Sequence, residues 1–68
     1  MGSQQEIAEK LKKARKEAKL TQLEVAEKVN ISVNYYARIE RGEVNSSMET
    51  LKDLMRILNI KSLKISND

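Results

Sequence analysis

The residues equipped for chemistry in this 68-residue chain are few. It contains no His and no Cys. A histidine general base, a thiolate nucleophile, a disulfide and a Cys/His zinc site are therefore excluded. Any catalysis would fall to Ser, Lys, Tyr or carboxylates. Carboxylates stand in pairs at Glu24/Glu27 and Glu40/Glu43. At that helical spacing they are ordinary surface charge. An enzyme is not expected, nor a cofactor or a metal. Hydrogen-bonding chemistry remains. Asn34, Arg38 and Arg41, with Val33 and Ala37 among them, fall mostly on the outward face of one short helical segment.

The elements that must position these residues are helices. The chain has no Pro and only two Gly, so obligatory breaks are rare. The first helix runs from Gln4 to about Lys19. Ile7, Leu11, Ala14 and Ala18 form its apolar stripe. Ser3 stands as its N-cap, with Glu6 three residues on. The second helix covers about residues 21–29. Thr21 is its N-cap, and Glu24 completes a capping box. Val25, Ala26 and Val29 face inward, and Leu23 falls off that stripe toward solvent. Asn30 ends the helix because it tolerates a left-handed backbone. The third helix covers about residues 32–41, with Ser32 as N-cap, Tyr36 and Ile39 inward and Gly42 as C-terminal stop.

Residues 43–46 read as a polar loop. Ser46 or Ser47 caps a fourth helix running to about Leu58. Its stripe is Met48, Leu51, Leu54, Met55 and Leu58, and Asn59 is its exit. Residues 1–3 read as an expression scar, residues 4–60 as one domain, and residues 61–68 as a short tail. Leu63 and Ile65 alternate with polar residues in that tail, which favours an extended stretch or an irregular turn over a full helix. No apolar run approaches a membrane span or a signal-peptide core.

The net charge of +3 permits nucleic-acid binding without establishing it. Residues 1–20 hold six basic and three acidic side chains. Residues 21–42 hold three of each, and residues 43–68 hold four of each. The whole surplus therefore lies in the first helix. Its lysines read as a solvated face.

Two short helices joined by three or four residues suggest a helix-turn-helix. Ala26 is small enough for the close approach of the two, and Ile31 fits as the buried residue of the turn. A protruding second helix suits the DNA major groove, which is wide enough to admit one. Thr21-Gln22-Leu23-Glu24-Val25-Ala26-Glu27-Lys28-Val29 resembles the helix-2 signature of the Cro/phage-repressor-like (XRE) helix-turn-helix family. Ile31-Ser32 and Arg38-Ile39-Glu40-Arg41-Gly42 resemble its turn and the end of its recognition helix. Ser47-Met48-Glu49-Thr50-Leu51 resembles the start of its fourth helix. The likeness covers about residues 7–60. Asn30 stands where the family often has Gly, and Ser46 where it often has Pro.

The resemblance implies an all-α, compact four- or five-helix lambda-repressor-like domain. It implies a sequence-specific DNA-binding domain of a prokaryotic or phage transcriptional regulator, acting in the cytoplasm. The expected partner is double-stranded DNA, a palindromic operator bound by a homodimer, with no membrane. The family's fifth helix often serves dimerisation, and the tail matches that part poorly. Carried over by position, Val33, Asn34 and Arg38 are base-contacting residues, and Ala37 beside them is expected to join them. Arg can bridge guanine O6 and N7, Asn can pair with adenine N6 and N7, and Val33 and Ala37 can meet thymine methyls. Gln22, Ser32, Tyr35, Arg41 and Asn45 are the phosphate contacts. Tyr36 sits where the family buries an aliphatic residue. Arg15 and Glu40 resemble an ion pair tying helix 1 to the end of helix 3. Glu43, a poor neighbour for phosphate, is expected to face away. The same fold also serves as a protein-interaction module in antitoxins and coactivator-like bridges, for which Val33, Tyr35 and Ala37 would form the contact surface.

Overall fold

The computed structural model describes residues 4–60. The cap at Ser3, the scar at residues 1–3 and the tail at residues 61–68 lie outside the described residues. Four helices follow in order: α1 (Gln4–Glu17), α2 (Gln22–Lys28), α3 (Val33–Glu40) and α4 (Met48–Ile57). No strand occurs among the described residues.

Local chemistry sets the helix starts. The Thr21 hydroxyl accepts from the Glu24 N–H at 3.0 Å, and the Thr21 N–H donates to the Glu24 carboxylate at 2.8 Å. This reciprocal box satisfies two otherwise orphan donors. The Ser32 hydroxyl caps α3 by accepting from the Tyr35 N–H. Ser47, not Ser46, caps α4 by accepting from the Thr50 N–H.

All four helices end in the same way. At α1 the Lys19 N–H donates to the Lys16 carbonyl and the Leu20 N–H to the Arg15 carbonyl. The same pair of bonds recurs around Asn30, Gly42 and Asn59. This is the Schellman closure, which requires a left-handed residue just past the helix. That residue is Lys19 at φ 62°, Asn30 at 62°, Gly42 at 75° and Asn59 at 58°. Lys19 is the ill-suited one, because its Cβ crowds the carbonyl in this conformation. It also explains why α1 stops at Glu17, short of the expected Lys19. Lys19→Gly is expected to stabilise the domain by roughly 0.5–1 kcal/mol, relief of left-handed strain outweighing added chain entropy. Urea midpoints of the two chains check it, and a lowered midpoint would mean that the strain is absent.

The core joins Leu11 of α1, Val25 and Ala26 of α2, Tyr36 and Ile39 of α3, and Leu54 with the cap residue Leu58. The third helix packs against α1 and α2, and α4 packs against α2. Ile31 of the turn and Leu20 pack partly against this core. Leu23 is exposed, in keeping with its place off the α2 stripe.

Two expectations for α4 change. Met48 is not part of the buried stripe; it is 67% exposed. As the first residue of α4, it has no preceding turn to cover it. Ile57, not Met55, joins Leu51 among the partly buried residues packed on the core.

Candidate nucleic-acid interface

The interface is built on α3, whose two faces differ sharply. Tyr36, Ile39 and Glu40 are buried. Ser32, Val33, Asn34, Arg38 and Arg41 are exposed. Ala37 and Tyr35 are half-buried, and Tyr35 packs partly on the core instead of standing out from it. Asn45 is exposed in the loop that follows. The polar side chains matched to base contact thus stand on the open side of a helix gripped from behind.

That grip centres on Glu40, whose side chain is only 1% exposed. Arg15 Nε donates to Glu40 Oε2 at 2.6 Å, and an Arg15 terminal nitrogen donates to Oε1 at 3.2 Å. The other Arg15 terminal nitrogen donates to the Leu20 carbonyl at 2.8 Å. The Tyr36 hydroxyl donates to Glu40 Oε2 at 2.5 Å, and Gln22 Nε2 donates to Oε1 at 2.9 Å. One carboxylate therefore ties together α1, the start of α2 and the last turn of α3. With these donors it satisfies the condition for keeping a charge inside a fold.

The protonation states follow from this arrangement. Burial pushes the Glu40 carboxyl up, but the hydrogen bonds from Arg15, Tyr36 and Gln22, with the Arg15 charge, hold it below its ordinary value. The hydrogen bond to Glu40 raises Arg15. Burial, then the bond to Glu40, pushes the Tyr36 phenol well above its ordinary range. At neutral pH the cluster is a carboxylate, a guanidinium and a neutral phenol.

Gln22 is thus drawn partly inward. One N–H of its amide serves Glu40, and its second N–H and its carbonyl remain for an external partner. The Tyr36–Glu40 bond had a visible signal, since the two stand four residues apart on one helix. The Gln22 and Leu20 contacts had none, because they depend on how α2 docks.

A second cluster corrects the expectation for Glu43. It does not face away. Its carboxylate receives Arg41 Nε at 2.7 Å and a terminal nitrogen of Arg41 at 3.3 Å. Arg38 Nε lies 3.6 Å from the same carboxylate. The hydrogen bond from Arg41 holds the exposed Glu43 carboxyl below its ordinary value, and the same bond raises Arg41. Gly42 lets this corner form. Its carbonyl accepts from Gln4 Nε2 at 2.9 Å, and a Cβ there would sit 2.5 Å from the Gln5 amide oxygen. Its positive φ independently disfavours a side chain.

A capped helix, a tight Asn30 turn and a second helix with one buried and one open polar face define a helix-turn-helix domain. The model of the helix-turn-helix family matches residues 11–65, and the chain belongs to this family, in its Cro/phage-repressor-like branch. Its fold is all-α and lambda-repressor-like, and it is a DNA-binding domain of the transcription-regulator class. The immunity repressor protein of Bacillus phage phi105 is 44% identical to it over 55 residues. That stretch is 81% of this chain, and the chain spans 38% of the repressor's length. No solved structure matches. Among the described residues, no helix is long and apolar enough to cross a membrane.

Proposed function

We propose that the chain is the sequence-specific, double-stranded-DNA-binding domain of a prokaryotic or phage regulator, most simply a repressor. The third helix enters the major groove. One observation carries this reading: Val33, Asn34 and Arg38, matched to base-reading positions, are exposed together on α3 while its other face is locked into the core. Arg38 offers a fork for guanine and Asn34 a donor–acceptor pair for adenine. Val33 and the half-buried Ala37 supply methyl contacts. Gln22, Ser32, Tyr35, Arg41 and Asn45 address phosphates, and the start of α2 adds its own N–H groups. Two copies bind a palindromic operator, with half-sites about one helical turn, roughly 34–36 Å, apart. The setting is the cytoplasm.

As an interaction module the chain would use Val33, Tyr35 and Ala37 as its apolar contact surface. Of Val33, Tyr35 and Ala37, only Val33 is exposed, at 39%. That surface is therefore only partly presented to solvent.

Selection of bound duplexes from a random pool is the direct test. A palindromic consensus supports the proposal; no salt-sensitive enrichment of any duplex sinks it. Against the selected site, Arg38→Ala is expected to cost about 1–3 kcal/mol and to relax preference at one base pair. Its melting temperature should stay near that of the parent, because Arg38 lies outside the core. Unchanged discrimination at every base pair would remove Arg38 from the base-reading set.

A further inference from the structure

Glu43 stands beside the two basic residues that α3 turns outward, and this placement is held by the backbone. The Glu43 N–H closes the end of α3 on the Arg38 carbonyl at 3.0 Å. The preceding Gly42 carbonyl is tied to Gln4. The carboxylate then engages Arg41 through two nitrogens, at 2.7 and 3.3 Å, with Arg38 Nε 3.6 Å away. A forked contact of this kind is the same geometry by which a guanidinium receives a phosphate. All three side chains are about half exposed, so a DNA strand can reach them.

We propose that Glu43 acts as a built-in competitor for DNA phosphate and so lowers the affinity of the domain for any duplex. The proposal rests on the DNA-binding reading above. In the free domain the carboxylate occupies the fork of Arg41 and draws on Arg38. Any duplex must displace it before Arg41 meets a phosphate. A random duplex gains only that phosphate contact in exchange. A matched duplex meets the same exchange at Arg41, so the ratio of matched to random binding is left to Arg38 and Asn34 on base edges. Glu43 thereby lowers binding to duplex DNA whatever its sequence, and the contact it contests is a sequence-independent one.

The test compares the full chain with Glu43→Gln on a short random-sequence duplex, by fluorescence anisotropy over a series of salt concentrations. Glu43→Gln is expected to bind about 2–5-fold tighter, the range of an exposed ion pair. Its plot of log K against log salt should keep nearly the parent's slope, because Arg41 meets the same phosphate in both complexes. The gain should vanish in an Arg41→Ala background. Glu17→Gln, the same charge change on α1, should leave binding nearly unchanged. Equal or weaker binding by Glu43→Gln overturns the proposal. So does a gain retained in full without Arg41, or matched by Glu17→Gln, since either marks a general charge effect. If the parent chain binds no duplex at any salt, the DNA-binding reading itself fails. A parent that binds while Glu43→Gln binds no tighter defeats only the role of Glu43.

Discussion

Replacing Glu40 by alanine is expected to destabilise the domain by about 3–5 kcal/mol, the cost of stranding the buried partner of an ion pair. Arg15 would lose both of its contacts to the carboxylate, and its side chain is only 11% exposed. Tyr36 would lose the acceptor for its hydroxyl inside the core. Gln22 would lose the bond that ties the start of α2 to the end of α3. At about 0.05–0.15 kcal/mol per residue, a chain of this length holds only about 3–10 kcal/mol in all. Glu40→Ala should therefore lose a large share of its stability, from about a third to all of it. Urea denaturation followed by circular dichroism measures the loss. A change below about 1 kcal/mol would reduce the cluster to the weight of a surface ion pair.

The same cluster predicts an acid response of definite sign. The folded-state pKa of Glu40 is depressed below the ordinary value of 4.5. Its contribution is therefore fully present above that value and is lost as pH falls through the lower, folded one. Urea midpoints should hold as pH drops toward 4.5 and decline below it. Glu40→Gln should start lower and decline less. An equally steep decline in Glu40→Gln would assign the acid sensitivity to other carboxylates.

Leu11→Ala is the second large effect, about 2–5 kcal/mol from lost burial plus the cavity left behind. Leu11 is fully buried and belongs to the core that gathers residues of all four helices. Too little remains elsewhere in so small a core for the site to collapse cheaply. The matched control is Met48→Ala. Met48 is 67% exposed, so its truncation should cost almost nothing. If the two variants melted alike, the assignment of the core would be wrong. The pair also sharpens the functional test. Leu11→Ala should lose DNA binding together with folding, whereas Arg38→Ala should lose it while still melting cooperatively near the parent temperature.

Much of the architecture was legible before any tertiary contact was known. Thr21 with Glu24, Ser32 as a cap, Asn30 and Gly42 as stops, and Tyr36 with Ile39 as an inward pair all follow from neighbours within one turn. Met48 was misplaced by the same arithmetic. Period alone puts it on the α4 stripe, but period does not say whether anything packs over the first turn. Lys19 was missed because a left-handed lysine carries no compositional signal; the closing hydrogen bonds impose it. Glu43 was expected to turn from the phosphates. Its nearest partners are instead the arginines beside it, since an exposed carboxylate two residues from a guanidinium has a closer cation than any solvent-facing orientation offers.

The candidate interface divides in the same way. The exposure of Val33, Asn34 and Arg38 could be anticipated from their angular positions on a helix whose other face is Tyr36 and Ile39. The support behind them could not be read from spacing. Gln22 meets Glu40 across 18 residues, Arg15 meets it across 25, and Gln4 reaches Gly42 across 38. The Arg15–Glu40 pair was suggested only by family resemblance. By itself the sequence determined the four helices, the caps of α2 and α3 and most of the buried faces, because each depends on residues three to five apart. Only the tertiary structure decided which charges meet, because that turns on the angles at which α1, α2 and α3 pack. Those angles are set by the shapes of Leu11, Ala26, Tyr36 and Leu54 acting together.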